Sequence, residues 1–479
     1  MKLTKFIRIN TLIMVYLMFF SSYAQKITKD NIVNKLQEKY RFTNDIKKYT
    51  VTYKFTSLNP YQSHNYKHPE DKVNGYGIYT IEIDKEKKEY FTHDRSQFPG
   101  NFVFEFKHFK NSEKAVSYDV NGVIRGKRLR LLKKNAFEKE NKRAGEVLSF
   151  EKVADLLNGY KKGDDLKIKI DKNNDLTTIV HTTIDKIRNT YTFDIKSLRL
   201  MTLESTEDNS IVDFKNYVIK NGIEYAKDLV IYKKNKLNAN VSVESFEKTM
   251  GIAASKFAIP YGYVLPLKNQ TISSEITQIA NNIYLINTTN NSRFILFKVI
   301  DSEIMVFGAP LSEKISNKII GLIENKFPTK NIKYVFVSHP HSDHISGLVP
   351  YAKNGTTIIA DDYTIEAIRS FPNFKETIDS FKFKTIENKQ SINGVRFYVL
   401  ENEHSLKQSF AYFKNEEIIY EGDFLEVPAD NSIATHISNV EKQFIEFVRK
   451  EKLKIKRIVQ HHRNSNVTTD IMNKYYNMN

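Results

Sequence analysis

The feature that most constrains this 479-residue chain is a cluster of three of its twelve histidines within six residues. The cluster, "HPHSDH", runs from His339 to His344 and follows the apolar run Tyr334–Val337. The apolar run predicts a buried strand, so the cluster lies on a tight loop at the C-terminal end of that strand. His339 and His341, which are separated by a single residue on this loop, can both turn toward one cation. Asp343 and His344 then project toward a neighbouring position. The density of the cluster favours a metal site over a polar loop that binds nothing.

The composition limits which side chains can hold a metal. The sequence has no cysteine, so cysteine nucleophiles and thiolate ligands are excluded. Imidazole and carboxylate are the ligands that zinc takes in the absence of thiolate. A catalytic zinc lowers the pKa of its bound water to about 7 and so supplies a hydroxide nucleophile at neutral pH.

The N-terminus has the pattern of a secretory signal peptide. A basic start ends at Arg8, an apolar run covers Thr11–Phe20, and small residues, Ser22 and Ala24, follow it. We expect cleavage after Ala24 and a periplasmic or secreted mature protein. The alternative is an uncut membrane anchor, but the apolar run is shorter than the roughly 20 residues that span a bilayer.

The positive charge of the chain is spread rather than clustered. The net charge is +17, and removal of residues 1–24, with three basic and no acidic side chains, leaves +14. Many lysines alternate with apolar residues, as in Asp164–Asp171. This pattern is typical of solvated strand and helix faces. We therefore predict a small-molecule substrate and no nucleic acid, with contact with an anionic envelope surface as the remaining partner.

The chain has two differently patterned halves. Residues 25–266 contain short strands of alternating polarity, such as Tyr49–Leu58 and Gly77–Asp84, which favour an antiparallel sheet with one wet face. The proline-containing stretch Phe257–Gln270 is typical of a linker. Beyond it, strands alternate with helices in two groups, which predicts two sheets with helices outside. The predicted fold class is α+β, with three segments: a signal peptide (1–24), a β-rich N-terminal domain of unknown role (25–266) and a metal-binding domain (267–479).

The motif His339–His344 resembles the H-x-H-x-D-H signature of the metallo-β-lactamase superfamily. The resemblance extends from about Gln270 to the C-terminus, because "VLENEHS", "YEGDFL" and "RIVQHHR" follow in the expected order. It implies an αβ/βα sandwich with two metal ions, the first held by three histidines and the second by Asp343 and two histidines, with an aspartate between the ions. The implied ligands are His339, His341, Asp343, His344, His404, Asp423 and His462.

Two positions need comment within this resemblance. The last ligand is either His461 or His462, and the superfamily pattern favours His462, two residues after Gln460. His461 would then support a ligand or contact substrate. Gly308 stands where the superfamily usually has an acidic residue that supports the metal loop, so the orientation of this loop is in question.

The resemblance implies an exported metal-dependent hydrolase with a dinuclear zinc site. A metal-bound hydroxide, held in line by Asp343 as the catalytic residue, would attack an ester, thioester, lactone, β-lactam or phosphodiester. Iron or manganese are alternative metals. An iron-dependent oxidoreductase similar to the sulfur dioxygenases, and a non-catalytic binding protein, are the alternative functions.

Overall fold

The computed structural model describes residues 29–71, 75–171, 173–183, 185–265, 275–288, 293–309 and 311–477. The signal peptide predicted for residues 1–24 and the domain boundary predicted between residues 266 and 267 lie outside the described residues and stay predictions. The chain divides into two compact units. Unit one comprises Met1–Ile46 and Leu148–Phe214, and unit two comprises Lys47–Val147 and Lys215–Asn479.

The helices occur in both units, and one of them has a complete capping box. Oγ of Ser438 accepts a hydrogen bond from the amide of Glu441 at 3.1 Å, and Oε2 of Glu441 accepts one from the amide of Ser438 at 2.7 Å. The α-helices of the described residues are α1 (Lys29–Lys39), α2 (Ala136–Glu146), α3 (Ser149–Lys161), α4 (Glu313–Lys326), α5 (Ser342–Ile345), α6 (Leu348–Lys353), α7 (Asp362–Ser370), α8 (Asn439–Lys450) and α9 (Thr469–Tyr476). Short 3₁₀ helices cover Arg41–Asp45, Pro60–Gln62, Ala254–Phe257, Pro372–Phe374 and Ile378–Ser380.

In unit two, residues before 267 form antiparallel strands in the order β6-β5-β4-β3-β2-β1-β13-β12. Alternate residues of β1, such as Tyr49, Val51 and Tyr53, are buried, as expected for a sheet with one covered face. The strands are β1 (Lys48–Ser57), β2 (Tyr76–Asp84), β3 (Glu89–Phe98), β4 (Phe102–Lys110), β5 (Ala115–Asp119), β6 (Arg130–Leu131), β12 (Ile223–Lys233) and β13 (Lys236–Lys248).

Unit one contains an antiparallel meander with the same period-two pattern. Ile179 of one strand pairs with Tyr191 of the next, and both side chains are buried. Phe150 and Val153 of α3 are also buried within this unit. The strands are β7 (Asp165–Asp171), β8 (Leu176–Thr182), β9 (Arg188–Asp194) and β10 (Leu200–Ser205), and β10 pairs with the first residues of β11 (Ser210–Lys220). The antiparallel, β-rich character predicted for the N-terminal part is confirmed.

The C-terminal part of unit two contains two further sheets. One has seven strands in the order β14-β15-β16-β17-β18-β19-β20, and the other has five in the order β21-β22-β23-β24-β25. Their strands are β14 (Ile276–Ala280), β15 (Ile283–Asn287), β16 (Phe294–Ile300), β17 (Glu303–Phe307), β18 (Asn331–Phe336), β19 (Thr357–Ala360), β20 (Lys382–Thr385), β21 (Ser391–Ile392), β22 (Val395–Leu400), β23 (Gln408–Phe413), β24 (Ile418–Glu421) and β25 (Arg457–Gln460).

The two C-terminal sheets form a sandwich with helices on both outer faces. Side chains of both sheets share one buried apolar core: Leu296, Phe307, Phe336, Phe397, Phe413 and Tyr420. Apolar side chains of α4, α6 and α7 pack on the outer face of the seven-stranded sheet, and those of α8 and α9 pack on the five-stranded sheet. The predicted αβ/βα sandwich is therefore confirmed. Within the described residues, no helix has both the length and the apolar composition needed to span a bilayer.

Candidate metal centre

The candidate metal centre is built from loops that follow four strands of the sandwich. The histidine cluster follows β18, His404 follows β22, Asp423 follows β24 and His462 follows β25. β18 runs parallel to β17 and β19, and β24 runs parallel to β25. Because parallel strands end at the same edge of a sheet, residues far apart in sequence meet there.

The first donor group consists of His339, His341, His404 and Asp423, whose donor atoms all lie within 4.8 Å of one another. Nε2 of His404 is 3.3 Å from Nε2 of His339 and 3.3 Å from Oδ2 of Asp423. Donor atoms that share a tetrahedral zinc lie about 3.3 Å apart, because each is about 2 Å from the ion. All three histidines are buried. The first donor group therefore fits a metal ion.

The second donor group consists of Asp343, His344 and His462, together with the other oxygen of Asp423. Nε2 of His462 is 3.1 Å from Nε2 of His344, 2.9 Å from Oδ1 of Asp423 and 3.4 Å from Oδ2 of Asp343. Asp423 thus presents Oδ2 to the first donor group and Oδ1 to the second. The structure brings together all seven side chains predicted from the sequence, and their role as ligands stays a prediction.

The neighbouring histidines at the end of β25 have different surroundings. Nδ1 of His461 lies 2.8 Å from the hydroxyl of Tyr420, and among the described residues its buried Nε2 has no hydrogen-bond partner. His461 also lies close enough to His344 and His462 to share a metal ion with them. The short distances from His462 to the two aspartates favour His462 as the ligand, and this choice stays a prediction.

Arg293 is a cationic neighbour of the second donor group. Its Nη1 lies 3.0 Å from Nε2 of His462, and its Nη2 donates to Oδ2 of Asp343 at 3.0 Å. A guanidinium keeps its charge at every accessible pH. Arg293 therefore places a permanent positive charge beside two of the donor atoms. Sequence reasoning missed this residue, because the segment "NSRFILF" has no motif that sets its arginine apart.

The protonation states of four of the donors suit metal binding. Burial lowers the pKa of His341 to about 3 and that of His339 well below its ordinary value, so both imidazoles are neutral at neutral pH. Burial raises the carboxyl pKa of Asp343 and Asp423, but the nearby histidines outweigh it and hold both values well below the usual range. Neutral imidazole and ionised carboxylate are the forms that coordinate metals.

Comparison with known proteins relates the C-terminal region to one superfamily. Residues 308–366 match the family model described as the metallo-beta-lactamase superfamily. The resemblance predicted from the motif is confirmed for the C-terminal region. This stretch contains the whole cluster from His339 to His344, so a metal-dependent hydrolase is compatible with both the family and the donor groups. No curated protein matches the sequence.

Several solved structures are similar to the chain over less than half of its length. A metallo-β-lactamase from Hirschia baltica is 10% identical, with 43% of this chain and 96% of that chain covered and a TM-score of 0.33. One from Pontibacter korlensis is 13% identical, with coverages of 43% and 97% and a TM-score of 0.33. The flavodiiron protein from Giardia intestinalis is 16% identical, with coverages of 44% and 59% and a TM-score of 0.32.

The departure from the superfamily pattern at Gly308 has a structural explanation. Gly308 has a φ of +98°, and a Cβ atom there would lie 2.3 Å from the hydroxyl of Tyr420 and 3.0 Å from Nδ1 of His461. An acidic side chain therefore does not fit. The Tyr420 hydroxyl and the His461 ring occupy this space and form a hydrogen bond with each other. The sequence indicated that the acidic side chain that usually supports the metal loop is absent at position 308. It did not indicate that Tyr420 and His461 occupy its place.

Proposed function

We propose that this protein is an exported hydrolase with a dinuclear zinc centre. The first ion would be held by His339, His341 and His404 and the second by Asp343, His344 and His462, with Asp423 shared between them. Bound zinc lowers the pKa of water, polarises the bond to be cleaved and stabilises the charge that develops on it.

The observation that carries the proposal is the position of the Asp423 carboxylate. Its Oδ2 lies 3.3 Å from Nε2 of His404, and its Oδ1 lies 2.9 Å from Nε2 of His462. A single carboxylate therefore faces two separate sets of imidazoles. This arrangement suits a pair of adjacent cations better than a single cation.

Two residues would act on the substrate side of the centre. Asp343 would accept a hydrogen bond from the attacking water and hold it in line with the scissile bond. Arg293, with 12% of its side chain exposed, would provide a fixed positive charge for the negative charge that develops on the substrate. Both roles require a small substrate that reaches the edge of the sandwich.

The substrate class remains the set predicted from the sequence, namely an ester, thioester, lactone, β-lactam or phosphodiester. The proposal of export rests on residues 1–24, and it places the substrate in the periplasm or outside the cell. No nucleic-acid partner is proposed. The basic charge of the mature chain supports contact with an anionic envelope surface.

The test is elemental analysis of the purified protein combined with hydrolysis assays. We expect about two zinc ions per chain and cleavage of at least one probe among a chromogenic cephalosporin, a lactone, a thioester and bis(p-nitrophenyl) phosphate. The double variant His341→Ala, Asp423→Ala should lose both metal and activity. His93→Ala, which removes a partly exposed histidine that belongs to none of the candidate donor groups of the described residues, should keep them.

The other outcomes identify the alternatives. Bound iron, with oxygen- or sulfur-dependent turnover, would support the oxidoreductase instead. Protein that binds no metal after reconstitution would overturn the enzyme proposal altogether.

A further inference from the structure

Three hydrogen bonds to the donor groups come from residues far upstream of the superfamily match. Nε2 of Gln62 donates to Oδ1 of Asp343 at 2.8 Å. The ring of His341 donates from Nε2 to the carbonyl of Ser63 at 3.1 Å, and the ring of His404 donates from Nδ1 to the carbonyl of Pro99 at 3.2 Å. Two segments of the N-terminal part, residues 60–64 and 98–102, therefore reach the candidate centre within unit two.

The segment 60–64 is held in place by contacts on both sides of Gln62. The side chain of Asn59 caps the 3₁₀ turn by accepting from the amide of Tyr61 at 3.2 Å. The buried ring of Tyr61 packs edge-on against Phe371, with ring centres 4.6 Å apart. The amide of Leu406, two residues after His404, donates to the carbonyl of His64 at 3.0 Å. Gln62 is therefore fixed on the sandwich rather than carried by a free loop.

The segment 98–102 is fixed in the same way. Gly100 has a φ of +85°, and a Cβ atom there would lie 2.5 Å from Val440, so only glycine allows this close approach. The ring of His436 donates from Nε2 to the carbonyl of Asn101 at 2.9 Å, and the ring of Phe102 contacts His404 edge-on. These contacts point the carbonyl of Pro99 at the His404 ring.

The carbonyl contacts determine which ring nitrogen of each histidine is free to bind a metal. Donation from Nε2 of His341 to Ser63 leaves the lone pair on Nδ1, and donation from Nδ1 of His404 to Pro99 leaves the lone pair on Nε2. That nitrogen of His404 faces His339 and Asp423. Partners of this kind orient metal ligands and increase their basicity.

Gln62 acts on the second donor group. It donates to Oδ1 of Asp343 and, at 3.1 Å, to Oγ of Ser342, while Arg293 donates to Oδ2 of Asp343. The carboxylate is thereby held from both sides, with Oδ2 turned toward His462. Without Gln62, Oδ1 of Asp343 would lose this hydrogen bond, and Arg293 would hold the carboxylate from one side only.

We infer that the N-terminal part completes the metal centre and that Gln62 is a positioning residue, which holds Asp343 in the orientation that binds the second ion. The inference rests on the proposed dinuclear function and assigns a role to a part of the chain outside residues 267–479. It concerns metal affinity, so it can be tested without knowledge of the substrate.

The test is calorimetric titration of the metal-depleted full protein with zinc, repeated with cobalt for its absorption spectrum. Gln62→Leu should weaken the second binding step by about 10- to 100-fold and leave the first unchanged. Gln62→Glu has the same size but places an acceptor against Oδ1 of Asp343, so it should also weaken the second step. Gln278→Leu, at an exposed position, is the matched control. Circular dichroism of the metal-free variants verifies that they are folded.

The outcomes separate this inference from the proposed function. If the unaltered protein binds fewer than two ions, the dinuclear proposal fails. If it binds two ions, and either Gln62→Leu or Gln62→Glu retains the normal second step, the positioning role of Gln62 is wrong although the dinuclear proposal stands. Equal weakening of both steps would also contradict the role, because a general structural defect would affect both donor groups.

Discussion

The guanidinium of Arg293 lies 3.0 Å from Oδ2 of Asp343, on the side of the carboxylate that faces His462. This permanent cation repels a metal ion bound by the second donor group. We therefore predict that Arg293→Gln, which removes the charge, tightens the second zinc-binding step by about tenfold, equivalent to about 1.4 kcal/mol of like-charge repulsion at a partly buried site. Calorimetric titration of the metal-free protein measures the change.

Arg293→Lys is the control for this prediction. It keeps the positive charge but cannot contact His462 and Asp343 through two separate nitrogen atoms. It should bind the second ion no more tightly than the unaltered protein. A weaker second step in Arg293→Gln would contradict the prediction and would mean that Arg293 mainly orients Asp343.

The choice between the final pair of histidines leads to a second prediction. His462→Ala should weaken the second zinc-binding step by more than about 100-fold, since it removes an atom that would bind the metal directly rather than a residue that only contacts a ligand. His461→Ala should weaken the second step by about tenfold, because the hydrogen bond between His461 and Tyr420 supports the loop that carries His462. The same titration compares the two variants, and the opposite ranking would identify His461 as the ligand.

The site illustrates which interactions can be predicted from a single sequence. The cluster His339–His344 was recognisable because its members are adjacent, and Asp423 because it stands in a short motif after an apolar strand. Gln62 and Arg293 lie 281 and 50 residues from Asp343 and carry no local pattern. Their positions follow from long-range packing, which residue spacing does not report.

The fold shows the same division between local and long-range information. Alternating polarity in stretches such as Tyr49–Leu58 predicted strands correctly, because the period-two pattern reflects burial on one face of a sheet. The association of Lys47–Val147 with the sandwich in one compact unit depends on contacts such as Tyr61 with Phe371. The local sequence around an aromatic residue in a loop does not predict which distant residue it contacts.

The third prediction concerns Gly308. Gly308→Ala would place a Cβ atom 2.3 Å from the Tyr420 hydroxyl and 2.8 Å from Ile295. Gly163→Ala is a matched control, because Gly163 has a similar φ of +89° with nothing within 4 Å of its Cβ position. Both variants carry the strain of a positive φ. The crowding at position 308 should lower the free energy of unfolding of Gly308→Ala by a further ~1–3 kcal/mol.

Urea denaturation of the two glycine variants measures the difference. Gly308→Asp, which restores the acidic residue of the superfamily, should be less stable than Gly308→Ala because its side chain is larger. Equal stabilities of Gly308→Ala and Gly163→Ala would mean that Tyr420 moves aside without cost. That result would contradict the explanation given for the glycine.

The fourth prediction concerns an ion pair in the N-terminal part. Both oxygens of the buried Asp94 accept hydrogen bonds from Arg143 at 2.8 Å, and His108 lies 3.5 Å away. Although burial raises the carboxyl pKa of Asp94, His108 and Arg143 together hold it below its ordinary value. Asp94→Asn should therefore lower the free energy of unfolding at neutral pH by about 2 kcal/mol, because Arg143 loses both hydrogen bonds to the Asp94 carboxylate and retains Glu140 as a partner.

The pH dependence of this difference follows from the sign of the pKa shift. A carboxyl whose pKa is lower in the folded state stabilises the fold above its unfolded pKa of about 4, and this contribution disappears as the pH falls through the folded value. Urea denaturation from pH 7 down to the acid transition should therefore show a gap between the unaltered protein and Asp94→Asn that closes only below about pH 4. Asp379→Asn, at an exposed position, should show no such gap. A gap of the same size at every pH would mean that Asp94 stabilises the protein by packing rather than by its charge.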